Sequence, residues 1–274
     1  MKNSNLHNFS SYALVTGAAS GMGRQYVLQL ASRGYNVIMV DVNEAGLMET
    51  EEMVMKEIRD LNFKHLSLVQ DLSHEDAADH IFEVTQAAGC QVDVLVNNAG
   101  ILYCQGIAET SEQRLKAVMM VHMYTPLMLC RKYLPQMKNR GCGYILNIAS
   151  LSSWMIWPGI GMYGSTKRFV KDYSRALRIE CQKTGVSVTN AYFGAVDTPM
   201  VPLKDSRKRR LARRIGVMIS AEKAVDKALT AMFRRRKGVM PGVLNHVFRP
   251  LCMILPDGLL GWIYRKAKPY LMKV

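Results

Sequence analysis

Ser11-Tyr-Ala-Leu-Val-Thr16-Gly17-Ala-Ala-Ser20-Gly21-Met22-Gly23-Arg24 is a short apolar run, a turn holding three glycines, and the start of a helical pattern that continues to about Arg33. Strand, glycine turn and helix in direct succession are the context in which such glycines carry information. Glycine lets the backbone approach a ligand closely. The N-terminus of the succeeding helix presents unpaired N–H groups to an anion such as a pyrophosphate. An ordinary tight turn between strand and helix uses the same residues, so the rest of the chain decides between the two.

The next segments repeat the alternation. Asn36-Val-Ile-Met-Val-Asp41 is a second apolar run ending in an acid, 18 residues past Gly23, close to the spacing at which a carboxylate receives the adenosine ribose hydroxyls. A helix is predicted over Glu44 to Leu61, a strand over His65 to Val69 with Asp71-Leu72 after it, and a helix over Glu75 to Ala88. Val92-Asp-Val-Leu-Val-Asn97-Asn-Ala99-Gly100 is a buried strand running into a polar turn. Glu112 to Arg140 reads as one long helix kinked near Pro126, Tyr144 to Ser150 as a fifth strand, Met162 to Lys183 as a helix and Val186 to Tyr192 as a sixth strand. Strands alternating with helices at this spacing specify an α/β chain with a doubly wound parallel sheet of about seven strands, helices on both faces. In such sheets ligands bind at the carboxyl ends of the strands.

That edge collects the chemistry. Ser150 ends the fifth strand, and Tyr163 and Lys167 stand four apart at the start of the next helix, one turn from each other on one face. A lysine ammonium beside a phenol favours the phenolate, which brings a group of pKa near 10 into use as a general acid/base. By itself Tyr-x-x-x-Lys is a short pattern that also describes exposed helix faces. After the sixth strand, Phe193-Gly194-Ala-Val196-Asp-Thr198-Pro199 turns back over the same edge.

The bulk properties bound the alternatives. With 274 residues, 49% of them hydrophobic, one domain with an ample core is expected. Met1 to Asn8 is polar and without the apolar run of a signal peptide, and no stretch reaches the ~18 apolar residues of a membrane span. The six cysteines are scattered without a Cys-x-x-Cys pair, the pattern of reduced, buried thiols in a cytoplasmic protein, with no metal site expected. The 19 methionines read mostly as core filler. Charge is uneven: residues 1–197 carry 18 Lys/Arg and 18 Asp/Glu, whereas residues 198–274 carry 18 and 4, which accounts for the whole net charge of +14. Basic runs such as Arg207 to Arg214 and Arg234 to Lys237 come without a recognition motif, so nucleic acid is not an expected partner.

With these residues in view, the chain resembles the short-chain dehydrogenase/reductase family over about residues 10 to 245. Thr16-Gly-Ala-Ala-Ser-Gly-Met-Gly23 matches the family's T-G-x-x-x-G-x-G, Asn97-Asn-Ala-Gly100 its N-N-A-G, and Ser150, Tyr163 and Lys167 its serine, tyrosine and lysine. Gly194-x-Val196-x-Thr198 matches P-G-x-V-x-T, with Phe193 where the family has proline. The resemblance implies roles. Tyr163 would exchange a proton with a carbonyl or alcohol, Lys167 would lower the pKa of Tyr163 and hold the nicotinamide ribose, and Ser150 would orient the substrate oxygen. Gly17, Ser20, Gly21, Met22, Gly23, Asp41, Asp71, Leu72, Asn97, Ala99, Gly100, Gly194, Val196 and Thr198 would hold a dinucleotide. Asp41, without a basic residue at Ser20 or Val42, favours NAD(H) over NADP(H). A homo-oligomer, dimer or tetramer, is also implied.

Three expectations stay open in the sequence. His122 stands where the family usually has an asparagine that helps hold a proton-relaying water, so its imidazole either relays protons or packs. The substrate is expected to be small and hydrophobic, a hydroxysteroid, bile acid or lipid-like alcohol or ketone, from the apolar neighbours Leu151, Trp154, Met155, Trp157, Met162, Phe193 and Met200. Alternatives are a 3-oxoacyl or retinoid-type reductase of the same family, or a dinucleotide sensor without turnover. The catalytic domain is expected over 1–245, with a basic substrate-covering segment at about 198–220. A basic, amphipathic extension over 246–274 reads as a lid, a subunit interface or a peripheral contact with anionic membrane.

Overall fold

The computed structural model describes residues 11–102, 105–155, 159–201 and 205–271. Trp157, Cys104 and residues 1–10 and 272–274 lie outside the described residues.

Strand β1 (Tyr12–Thr16) leads through the glycine turn into helix α1 (Gly21–Ala31), and the alternation continues through β2 (Asn36–Asp41), α2 (Glu44–Glu57), β3 (His65–Val69), α3 (Ala77–Ala87) and β4 (Val92–Asn97). The second half comprises α4 (Glu112–Met119), α5 (Thr125–Arg140), β5 (Gly143–Ser150), α6 (Gly161–Glu180) and β6 (Val186–Phe193). Then come β7 (Ala195–Asp197), α7 (Ser206–Arg214), β8 (Met218–Ser220), α8 (Ala221–Phe233), β9 (Gly238–Val239), α9 (Val243–Ile254) and α10 (Asp257–Leu271). The main sheet has seven parallel strands in the order β3-β2-β1-β4-β5-β6-β9. Strands β7 and β8 form a small parallel pair beside it.

Strands buried on both faces read as continuous apolar runs, with alternate side chains on opposite sides. Val15, Val37, Met39 and Val96 pack against Tyr26, Leu30, Leu229 and Met232 of α1 and α8. Leu14, Ile38, Val40 and Leu95 pack against Ile81, Leu129, Tyr133 and Met137 of α3 and α5. The sheet is thus doubly wound, and its strand order reverses between β1 and β4, the switch point at which such sheets bind ligands.

Two expected helices differ in detail. The one predicted over residues 44–61 ends at Glu57, because Ile58 turns extended and the Asp60 carboxylate accepts the Asn62 N–H at 2.9 Å, a turn that competes with helix. The one predicted over residues 112–140 divides into α4 and α5 around a π-helical turn at Met120–Tyr124. Pro126 has no N–H to give the His122 carbonyl, and its ring crowds that carbonyl. The chain widens by one residue there, so that the Thr125 N–H reaches back to the Met120 carbonyl.

Candidate active site

The glycine turn is tight by construction. Gly17 has φ +70, and a Cβ there would lie 2.9 Å from the Ala99 Cα. A Cβ on Gly23 would collide with the Gly17 carbonyl. Ser20 caps α1 in extended backbone without a side-chain hydrogen bond, so no capping side chain competes for the first N–H groups of the helix. Arg24 braces the turn from behind, donating to the Ala19 carbonyl at 2.6 Å and pairing with Glu49 at 2.7 Å. At the end of β2 the Asp41 carboxylate accepts the Ala19 N–H and the Asn43 N–H, each at 3.0 Å. A cradle closed to any Cβ, an open helix N-terminus and a carboxylate at the next strand end together fit a dinucleotide.

Across the switch point, the Thr16 hydroxyl accepts the N–H groups of Asn98 and Ala99, each at 3.1 Å, while the Asn98 side chain donates to the Thr16 carbonyl at 3.0 Å. This ties the turn after β4 to the end of β1. Asn97 points elsewhere: its amide, 6% exposed, donates to Asn147 Oδ1 at 2.8 Å inside the sheet. Alternation along a strand sends adjacent side chains to opposite sides, so Asn98 faces the cavity and Asn97 does not. Asp71 and Leu72 lie at the carboxyl end of β3; Asp71 holds the Ser73 N–H at 2.8 Å, and the Leu72 carbonyl accepts from Thr125 at 2.8 Å.

Ser150, Tyr163 and Lys167 meet in one cavity of about 310 Å³, together with Met22, Gly100, Gly194, Val196 and Thr198. Lys167 is buried, and its Nζ donates to the Ile148 carbonyl at 2.9 Å, 5.9 Å from the centre of the Tyr163 ring. Burial disfavours its charged form and pulls its pKa down to about 8. The Ser150 hydroxyl lies 3.4 Å from the Phe193 carbonyl and accepts the Ser152 N–H at 3.2 Å. Gly21 faces Thr198, whose side chain would lie 3.2 Å from a Cβ at that glycine, so the first and last sequence motifs of the site adjoin.

The π-helical turn aims His122 into this region. Its Nε2 accepts the Ile101 N–H at 2.8 Å, so that nitrogen carries the lone pair. Its Nδ1 therefore carries the proton and donates to Thr166 Oγ1 at 2.9 Å, and Thr166 donates in turn to the Tyr163 carbonyl at 2.9 Å. Burial, then the Lys167 charge, hold the His122 pKa well below the usual imidazole value. The ring meets the Tyr163 ring edge-on at 5.6 Å. Both nitrogens are occupied, and the neutral imidazole bridges the turn after β4 and the second turn of α6.

Of the apolar neighbours expected around the substrate, Leu151, Met155, Phe193 and Met200 line the cavity, joined by Leu102, Ile160 and Val201. Trp154 does not. Its ring lies 4.5 Å from that of Tyr192, tilted by 54°, and it lines a larger cleft of about 740 Å³ among Lys171, Arg175, Lys237 and Arg249. The 3₁₀ turn at Leu151–Trp154 turns Trp154 to that other side. Cys90, Cys130 and Cys181 are buried thiols, whereas Cys142 is exposed. Sequence reasoning did not single out Thr166, Asn98 or the Ile148 carbonyl. The two side chains sit inside quoted motifs, but the backbone oxygen has no sequence signal.

A doubly wound sheet with a glycine cradle at the switch point and Ser, Tyr and Lys in one cavity defines a dinucleotide-dependent alcohol/ketone oxidoreductase. The short chain dehydrogenase family model matches residues 11–209, and the chain belongs to that family. It is 33% identical over 189 residues to an uncharacterized oxidoreductase of Staphylococcus saprophyticus, covering 69% of this chain and 79% of that one. It is 31% identical over 212 residues to 17-beta-hydroxysteroid dehydrogenase type 3 of Rattus norvegicus, covering 76% and 67%. Among solved structures, a 7beta-hydroxysteroid dehydrogenase superposes with a TM-score of 0.79 at 23% identity over 88% of this chain and 91% of that one, a likeness of fold.

Proposed function

We propose that the chain interconverts a secondary alcohol and a ketone on a hydrophobic, steroid- or lipid-like substrate, with NAD(H) as the preferred cofactor. The observation that carries this reading is the shared cavity: Ser150, Tyr163 and Lys167 open onto walls made of Leu151, Met155, Ile160, Phe193 and Met200. An apolar pocket with a few convergent polar groups binds a greasy molecule and fixes the one oxygen it carries. Bound nicotinamide supplies or accepts the hydride; the protein supplies position and electrostatics. The Gly17 to Gly23 cradle and the N-terminus of α1 would hold the pyrophosphate, Asp41 the adenosine ribose, and Lys167 the nicotinamide ribose.

The Tyr163 hydroxyl gives its proton to the substrate oxygen in reduction and takes it back in oxidation. The Ser150 hydroxyl donates to the same oxygen and holds it against Tyr163. Lys167 has three N–H groups, one of them on Ile148, and its charge favours the Tyr163 phenolate. With a pKa of about 8, Lys167 can also lose and regain a proton near neutral pH. His122 is a positioning residue for Tyr163 through Thr166, rather than a proton carrier.

The test is a panel of hydroxysteroids, bile acids and long-chain ketones, read by the absorbance of reduced nicotinamide, with Tyr163→Phe alongside. Turnover of a bulky apolar substrate, lost by at least about a hundredfold in the phenylalanine variant with cofactor binding retained, is expected from the usual weight of a general acid. Activity confined to small polar carbonyls would overturn the substrate assignment, and a phenylalanine variant keeping most of its activity would overturn that of Tyr163.

A further inference from the structure

Helices α7 and α10 combine part of the surplus charge with exposed apolar residues. Helix α7 has two faces. Arg209 and Arg213 turn inward and pair with Asp197, at 2.5 and 3.3 Å. Leu211 and Ile215, four apart and each 58% exposed, turn outward among the exposed Arg207, Lys208 and Arg214. Those three cations have no carboxylate partner among the described residues.

Helix α9 begins beside the end of α7: a Cβ on Gly216 would lie 3.8 Å from the Leu244 side chain. Its inner side is occupied, with Asn245 against Gly194 and Arg249 over the Trp154 ring at 5.2 Å. Its outer side exposes Val247, Phe248 and Ile254, and α10 continues with Leu259 and Trp262, between 42 and 75% exposed. Residues Met200 and Val201, just before α7, line the catalytic cavity. The apolar rim therefore adjoins the cavity mouth.

We infer that α7, α9 and α10 form a docking face for an anionic lipid surface. Three observations select that occupant. The face is basic, because α7 carries Arg207, Lys208, Arg209, Arg210, Arg213 and Arg214 with no acid and α10 adds Arg265, Lys266 and Lys268 against Asp257, and a bilayer with acidic headgroups is its electrostatic complement. Its apolar side chains stand on short helices whose cations flank them, the arrangement that lies in an interface plane. No helix among the described residues is long and apolar enough to cross a membrane, so contact is peripheral. On this reading the inner side of α9 packs on Gly194 and Trp154, and its outer side meets lipid. A water-insoluble substrate would then reach the cavity from the bilayer without crossing bulk solvent.

The test uses the full chain with vesicles of phosphatidylcholine alone or with phosphatidylserine, sedimented at low and high salt. Expected are binding to the acidic vesicles, weakening with salt, and quenching of Trp262 fluorescence by brominated acyl chains, with Trp262→Phe as the control. Replacing Arg207 or Lys208 by Gln should lower the partition coefficient about fivefold each, the scale of one basic residue at such a surface. Phe248→Glu should abolish binding while the melting temperature stays within about 2 °C of wild type, since exposed substitutions cost little. A full chain that stays in solution with acidic vesicles at low salt overturns the inference. So does a concentration-dependent dimer that Phe248→Glu dissociates without any vesicle binding, which would make this face an interface between copies. Docking is read without turnover, so its failure leaves the catalytic reading untouched.

Discussion

At the scale of single residues, the Tyr163–Lys167 pair differs from a tyrosine and lysine on an exposed helix face by the burial of the lysine. Lys167 is 5% exposed and anchored on the Ile148 carbonyl, and its pKa falls from the usual lysine range to about 8. As pH rises through that value the ammonium is lost, and with it both the support for a Tyr163 phenolate and the proposed hold on the ribose. Cofactor affinity, titrated by fluorescence, should weaken above about pH 8 in the wild type; in Lys167→Arg it should be independent of pH up to 10. His122 shifts in the same direction with a different outcome. Its folded pKa lies well below the unfolded value, so between the two the unfolded chain binds a proton that the native state refuses, and stability falls as pH falls below about 6.5. The melting temperature should drop from pH 7 to 5 more steeply in wild type than in His122→Asn, and the rate should show no limb near 6.5. The positions of Tyr163 and Lys167 were legible because four-residue spacing and helix geometry fix their relation. The partners of the His122 ring were not, since one of them is an N–H offered by Ile101 from a separate turn.

At the scale of elements, the glycine cradle and helix α7 make different demands. A methyl group on Gly23 meets the Gly17 carbonyl, which belongs to backbone and cannot rotate away. Gly23→Ala should therefore destabilise the fold by about 1–3 kcal/mol, the usual cost of overpacking, and reduce dinucleotide binding more than that loss alone explains; thermal melts with and without cofactor would separate the two. Helix α7 is held by Asp197, which receives Arg209 and Arg213, and by the Thr198 and Val201 carbonyls, which accept from Arg209 at 3.3 and 2.9 Å. Asp197→Ala should loosen it. Tryptic cleavage within 206–214 should then speed up about tenfold, matching about 1.5 kcal/mol for a hydrogen bond to a charged group. The strands were readable as continuous apolar runs between glycine turns. The division of α4 from α5 was legible only in part: Pro126 announces a disturbance, but whether the chain kinks or widens is settled by what its neighbours leave room for.

At the scale of the molecule, the strand order brings the glycine turn, the turn after β4 and the Gly194 to Thr198 segment to one edge. The doubly wound parallel sheet behind it was legible in the alternation of strands and helices. The cavity walls were legible in part: Leu151, Met155, Phe193 and Met200 line it, whereas Trp154 belongs to the neighbouring cleft because a short 3₁₀ turn redirects it. A dinucleotide spanning this edge touches both halves of the fold and should stabilise the whole chain. At a hundred times its dissociation constant, a ligand contributes about 2.7 kcal/mol, or a rise of about 5–10 °C in melting temperature. With Asp41 at the adenosine end, NADH should raise it more than NADPH at equal concentration, and Asp41→Ala should narrow the difference. An equal or larger rise with NADPH would overturn the cofactor preference.

The parallel sheet also sets a timetable for synthesis. Parallel neighbours never succeed each other by a tight turn, so each strand waits for a later segment to leave the ribosome. Strand β1 pairs with β2 early, but its other side stays open until β4 has been made, some eighty residues on. Strand β6, which carries the chain into Gly194 and Thr198, acquires its outer neighbour only when Gly238 and Val239 are in place. The nucleotide cradle can therefore assemble on a nascent chain well before the catalytic wall closes.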